Sequence, residues 1–145
     1  MKVRDILKTK DNRLVSIAPE KTIQEAMSRI VERKIGDLLV MKNDTLIGIL
    51  SERDILKNLA GHGAAILKEP VEKYMTRKLI IGIPDDDVDS VMAYMTNNRI
   101  RHVPILESQK VIGLISIGDI VKFQVQNLKV ENRYLVDYIT GKYPA

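Results

Sequence analysis

The sequence predicts an α+β (α/β) fold: two β-α-β-β-α repeats packed as one pseudo-twofold module, with a further helix at the C-terminus. Three observations carry this reading. First, residues 35–56 laid over 100–121, an offset of 65, put Ile35 on Ile100, Ile47 on Ile112, Gly48 on Gly113, Ser51 on Ser116, Asp54 on Asp119 and Ile55 on Ile120. The same offset pairs Pro19 with Pro84, Ile23 with Val88 and Met27 with Met92. Before the prolines the register slips by three, so that VRDIL at Val3 meets VEKYM at Val71. A repeat covering nearly the whole chain decides the architecture before any local signal does. Second, each copy alternates between strand-like and helix-like apolar spacing. Third, the tail beyond the second copy carries its own helical stripe. A unit of about 60 residues buries too little surface alone, so the copies are expected to pack sheet to sheet as one body. The expected boundaries are 1–65 for the first repeat, 66–124 for the second and 125–145 for the extension.

In order along the chain, LVSI (14–17) and LIIGI (79–83) are short apolar runs ended by proline and read as strands. In the next stretch Ile23, Ala26, Met27, Ile30, Val31 and Ile35 share one helical face. Thr22 and Glu25 supply a capping-box pattern and Gly36 a stop. The second copy repeats the helix with Val88, Val91, Met92 and Met95, and Asp87 as its cap. LLVMKNDTLIGIL and VPILESQKVIGLI each read as two strands around a polar turn. A second helix begins at Ser51 and again at Ser116. In the tail, Val121, Val125, Leu128, Leu135 and Ile139 recur at helical steps, predicting one long amphipathic helix closed by Gly141. That helix either covers its own module or makes a subunit contact.

Composition sets limits on function. The chain has 145 residues, 45% hydrophobic and 29% charged, which suits a folded globular domain. Leaving Tyr aside, its apolar runs reach only four residues, far short of the roughly 20 that cross a bilayer. No signal-peptide stretch opens it and it contains no Cys, so there is no disulfide framework and a cytoplasmic location is expected. The net charge of +4 is interspersed rather than clustered, which argues against a nucleic-acid footprint. Two His and no Cys give no metal-ligand spacing. His102 lacks a nucleophile and a partnering acid, and Ser116 lacks the glycine a nucleophile elbow needs before it. GHGAA lacks the ending of a phosphate loop, His62 within it reads as a loop residue, and PDDDVD reads as helix capping.

The doubled G-apolar-apolar-Ser-x-x-Asp motif, GILSERD and GLISIGD, has two readings. Structurally, Ser-x-x-Asp at a strand-to-helix corner is a cap: the serine oxygen accepts a backbone N–H, and the acid favours the helix dipole. Gly48 and Gly113 permit close backbone approach. Functionally, a helix N-terminus after a strand suits an anion, while an Asp there suits a vicinal diol such as a ribose, because a carboxylate only accepts hydrogen bonds. A nucleotide meets both demands if its phosphate extends to donors such as Arg53, Arg101 and His102.

These two motifs, each preceded by proline, helix and apolar strand, resemble a tandem pair of CBS domains, a Bateman module, over about residues 3 to 125. The stretch RIRHVPIL with VIGLISIGDIVK resembles stand-alone CBS-pair proteins in particular. The resemblance implies a non-enzymatic regulatory module that binds AMP, ADP, ATP, NAD or S-adenosylmethionine in clefts between the repeats. It implies Asp54 and Asp119 on ribose hydroxyls and Ser51 and Ser116 on phosphate or ribose. It implies Arg101 and His102 at phosphates, and backbone around Ser16, Ile17 and Ala18 and around Ile80, Ile81 and Gly82 at adenine. It also implies a homodimer built as a disc of four repeats and an effector protein acted on in trans. The first repeat has Gly36-Asp37 where the second has Arg101-His102, and the second motif lacks the Arg53 of the first. The two clefts are therefore expected to differ, with the second favouring a short phosphate such as AMP. The rival readings are a nucleic-acid binder and a purely structural dimerisation module.

Overall fold

The computed structural model describes residues 1–141. Its elements run α1 (Val3–Leu7), β1 (Ser16–Ile17), α2 (Ile23–Arg33), β2 (Asp37–Lys42), β3 (Thr45–Ser51), α3 (Glu52–His62), two short 3₁₀ turns (Gly63–Lys68 and Val71–Lys73), α4 (Val88–Asn98), β4 (His102–Glu107), β5 (Lys110–Ser116) and α5 (Ile117–Ile139). Both hairpins form as the sequence predicts. Each turns on two residues of positive φ, Asn43 (50°) with Asp44 (64°) and Ser108 (50°) with Gln109 (67°), the left-handed pair that matches the twist of the flanking strands. The register is the same in both: Val40 faces Gly48, and Ile105 faces Gly113.

The expected first strand of each copy is shorter than predicted. Only Ser16–Ile17 pairs with β2, and 79–83 forms no strand, only a parallel bridge between Gly82 and Ile105. The repeat itself explains the difference. Leu39 N–H donates to the Val15 carbonyl at 3.2 Å, and the offset maps this pair onto Pro104 and Ile80. Proline has no N–H to give, so the second copy loses that rung. What remains is Gly82 N–H to Pro104 O and Leu106 N–H to Gly82 O, each 2.9 Å.

Helix ends also depart from expectation. Gly36 is not the stop of α2; Lys34 takes the left-handed conformation (φ 55°), and Arg99 does so after α4 (φ 54°). Ile35 N–H returns to Ile30 O and Ile100 N–H to Met95 O, which turns an apolar residue back onto each helix. At the other ends, Thr22 Oγ1 accepts from Glu25 N–H, whereas Asp87 makes no side-chain cap and pairs with Lys2 instead. Val31, expected on the inner face of α2, is exposed because the stripe of Ile23, Ala26 and Ile30 already fills it. His62, expected in a loop, is the last residue of α3.

Two apolar cores result, and the chain crosses between them. Val3, Ile6 and Leu7 of α1 pack with Val88, Val91, Met95, Val103, Ile105, Ile115 and Ile120. Ile66, Val71 and Met75 pack with Ile23, Ile30, Leu38, Val40 and Leu50. The exchange is pseudo-symmetric down to the backbone. Val3 N–H donates to Asp86 O (2.9 Å) and Arg4 N–H to Pro84 O (3.0 Å), while Val71 N–H donates to Lys21 O (2.7 Å) and Glu72 N–H to Pro19 O (3.0 Å). Each core is thus closed by a segment lying just before the other repeat in sequence, and the two halves form one module. Gly48 and Gly113 are where those segments cross: a Cβ at Gly48 would lie 2.5 Å from Met75 Sδ, and one at Gly113 would lie 2.6 Å from Leu7 Cδ2.

The tail helix is continuous with the second corner: α5 runs unbroken from Ile117 to Ile139, and Gly141 follows at φ 75°. Residues 142–145 of the expected extension lie outside the described residues.

Candidate functional site

At both motif corners the cap forms in full. Ser51 Oγ accepts from Asp54 N–H (3.1 Å) while Asp54 Oδ2 accepts from Ser51 N–H (3.0 Å). At the second corner the corresponding distances are 3.0 and 2.9 Å, from Ser116 and Asp119. One further helix donor is met by the strand beside it: Glu52 N–H reaches Gly36 O (2.9 Å) and Ile117 N–H reaches Arg101 O (2.8 Å). The structural role of the motif therefore holds at both corners.

The surroundings of the two carboxylates differ. Thr76 Oγ1 lies 3.3 Å from Asp54 Oδ2, a long contact. Asp119 Oδ2 takes the Lys10 ammonium at 2.7 Å, and the same ammonium donates to Leu114 O at 2.6 Å. Burial pushes the Asp119 carboxyl up, but the hydrogen bonds from Lys10 and Ser116 outweigh it and hold it below the usual carboxylate range.

Asp119 opens onto a cavity of about 320 Å³, a size that suits a small ligand. Its walls come from both repeats: the segment Lys10 to Val15, then Lys34 to Asp37 and Leu39, facing His102, Leu114, Ser116 and Asp119. His102 Nδ1 is paired with Asp37 Oδ2 across the junction, so the partnering acid that His102 lacked in the sequence comes from the other repeat, brought there by the fold. These residues are equivalent under the 65-residue offset, so their contact lies by the pseudo-twofold axis. Apolar wall comes from Leu14, Val15, Ile35, Leu39 and Leu114, and cationic groups from Lys10, Arg13, Lys34 and, when protonated, His102. Arg13 is tied locally to Asp11 (2.8 Å), which holds that carboxyl below its ordinary value. Lys34 makes no ion pair among the described residues. Asn12 Oδ1 is buried without a hydrogen-bond partner at the edge of this wall.

Of the residues singled out in the sequence, Asp119, Ser116, His102 and Asp37 meet in this cavity. Ser51, Arg53 and Asp54 sit at the other corner, with Arg53 exposed, and Arg101 is exposed outside the lining. Ser16, Ile17 and Ala18 lie just beyond the wall, which ends at Val15; the Ser16 carbonyl accepts from Arg29. Ile80 and Ile81 do not line it, and the Gly82 backbone is committed to β4. Sequence reasoning missed the segment Lys10 to Leu14, Lys10 above all. A signal for it was present: the slip of the repeat by three means that the first copy carries three extra residues between Val3 and Leu14.

Among the described residues no cluster of His, Cys, Asp or Glu could hold a metal ion, and no helix is long and apolar enough to cross a membrane.

Comparison with known proteins gives a consistent picture. The family model for the CBS domain matches residues 3–61 and 71–126. The chain is 33% identical over 150 residues to a mitochondrial CBS domain-containing protein, CBSX3, of Arabidopsis thaliana, covering 97% of this chain and 73% of the relative. The crystal structure of a CBS-domain containing protein from Agrobacterium tumefaciens superposes with a TM-score of 0.83 at 37% identity, covering 86% of this chain and 99% of that one. A CBS domain pair crystallised with 5′-methylthioadenosine and S-adenosyl-L-methionine, from protein MJ0100, gives a TM-score of 0.77 at 26% identity, covering 88% of this chain and 98% of that one.

Proposed function

The chain belongs to the CBS-domain family, as a tandem pair, and from that membership we propose that it is a non-enzymatic sensor of adenosine-containing ligands. The observation that carries this reading is the cavity at Asp119, where one carboxylate, several cations and an apolar wall from the other repeat converge. The Lys10 ammonium and the Ser116 N–H both bond Asp119 through Oδ2, so Oδ1 can accept from a ribose diol while the cap stays closed. Leu14, Val15, Ile35, Leu39 and Leu114 offer the apolar surface a purine needs. Lys10 bonds the carboxylate in this structure and can turn to a phosphate when the diol takes its place; Lys34, Arg13 and His102 stand within the same cavity. A compact, fully charged phosphate such as AMP suits this arrangement best. The solved pair that holds two adenosine derivatives supports the ligand class.

Sensing requires that the ligand favour one arrangement of the two halves, or of a homodimer, over another. The cavity is built from both repeats, so occupancy bears directly on how they sit together, and the output passes to a partner in trans. The test is a melting-temperature panel of AMP, ADP, ATP, NAD and S-adenosylmethionine. A ligand at about 100 times its Kd stabilises by roughly 2.7 kcal/mol. If none raises the melting temperature, the sensor reading fails and the capping role stands alone.

A further inference from the structure

The distal half of α5 has no function in the module described so far. Ile120 is buried in the second core, Phe123 packs against that core, and Asn127 touches Met1. This puts one side of the helix on its own module. A flanking face, turned roughly 130° away at about 100° per residue, carries Val121, Val125, Leu128, Asn132, Leu135 and Ile139, at alternating steps of four and three. It faces outward: Leu128 is 63% exposed, Leu135 61% and Ile139 80%. In heptad terms, Val125, Asn132 and Ile139 occupy a, and Val121, Leu128 and Leu135 occupy d. β-branched residues at a with leucine at d favour two parallel helices, and a single Asn at a fixes register and number.

We propose that this stripe pairs with the α5 of a second copy of the chain as a short parallel, in-register coiled coil, Asn132 bonding Asn132 across the axis. Parallel pairing puts Lys129 beside the partner's Gln124 and Glu131 beside the partner's Val136. Full-overlap antiparallel pairing would set Lys129 against Lys129, Glu131 against Glu131, and the Asn132 amide against Leu128. The charges and the amide therefore select the parallel arrangement. The inference is independent of the nucleotide reading and specifies an element and orientation for the homodimer.

The test uses the full chain, which has no native cysteine. Asn132→Cys and Leu128→Cys should each form an interchain disulfide under mild oxidation, because facing a and d positions approach within disulfide range. Arg133→Cys, at an outer b position, should cross-link at least about tenfold more slowly. Leu128→Asp with Leu135→Asp, added to Asn132→Cys, should abolish the cross-link while leaving circular dichroism in the cold unchanged. Equal rates at 132 and 133 would overturn the proposal. So would cross-linking only between Leu128→Cys and Asn132→Cys chains when mixed, with neither cross-linking to itself, which marks an antiparallel pair. A dimer by ultracentrifugation with no cross-link at 132 or 128 would also sink it, while leaving a dimer through another face intact. Nucleotide-induced melting shifts are read separately, so this failure and that of the sensor reading are distinguishable.

Discussion

Asp119 does two jobs with one carboxylate: Oδ2 closes the cap of α5, and the group as a whole is held charged by Lys10 in the cavity wall. The two jobs separate by mutation. Asp119→Ala should cost on the order of 1 kcal/mol of stability as a lost cap, with the fold retained. It should also lower AMP affinity at this cleft at least about tenfold by calorimetry, since the diol loses its acceptor. Unchanged affinity would return Asp119 to capping alone. Lys10→Met tests the electrostatics. The Asp119 carboxyl lies below its ordinary value of about 3.9, so its stabilising contribution is complete above that pH and is lost as pH falls through the depressed folded value. Without Lys10, its hydrogen bond and its charge no longer lower the carboxyl, which rises. The acid-unfolding midpoint followed by circular dichroism should therefore move to higher pH, and a midpoint that stays put would remove Lys10 from the account.

Among the elements, α1 is the one whose place in the fold runs against its place in the sequence. Ile6 is 2% exposed, in the core of the second repeat. Ile6→Ala should cost about 2–5 kcal/mol. Hydrogen exchange should then quicken first in α4 and β5 rather than in α2 and β2, which lie nearer in sequence. Loss of protection in α2 instead would mean that the exchange of segments is not what closes the cores. This element also marks the limit of what was legible beforehand. The hairpins, both serine caps and the first helix of each copy could be read because turn chemistry and periodicity are local. The slip of register at Val3 and Val71 showed that these segments correspond, but nothing local says that each packs into the other copy. The lost strand at 79–83 had a sequence cause, Pro104 facing Ile80, that becomes visible only once the parallel pairing of β1 with β2 is known. Lys10 was invisible for the same reason: α1 and β1 fix the segment between them at the second corner by long-range packing, and charge in a loop carries no periodicity. Asp119, Ser116 and His102 were legible because the repeat made them recur or contrast.

At the scale of the whole molecule, the exchanged segments, the Asp37–His102 pair and the cavity all lie between the two halves, so a ligand in the cavity would touch both. The surface charge is mixed here as well: Asp11, Asp37 and Asp119 stand among Lys10, Arg13, Lys34 and His102. A polyanion would meet repulsion where a single nucleotide finds a diol acceptor. This yields a prediction that separates the sensor from its rivals. With AMP near saturation, amide exchange should slow together in residues 34–39 of the first repeat and 114–119 of the second, because both form the wall. Binding to the outer surface, as for nucleic acid, would leave both segments unchanged and would weaken steeply with salt, roughly in proportion to the phosphates contacted. Protection confined to 114–119 would mean that the ligand rests on the cap alone. The module would then have a ligand but no means of coupling it to the arrangement of its halves, since a ligand shifts an equilibrium only through contacts that differ between its states.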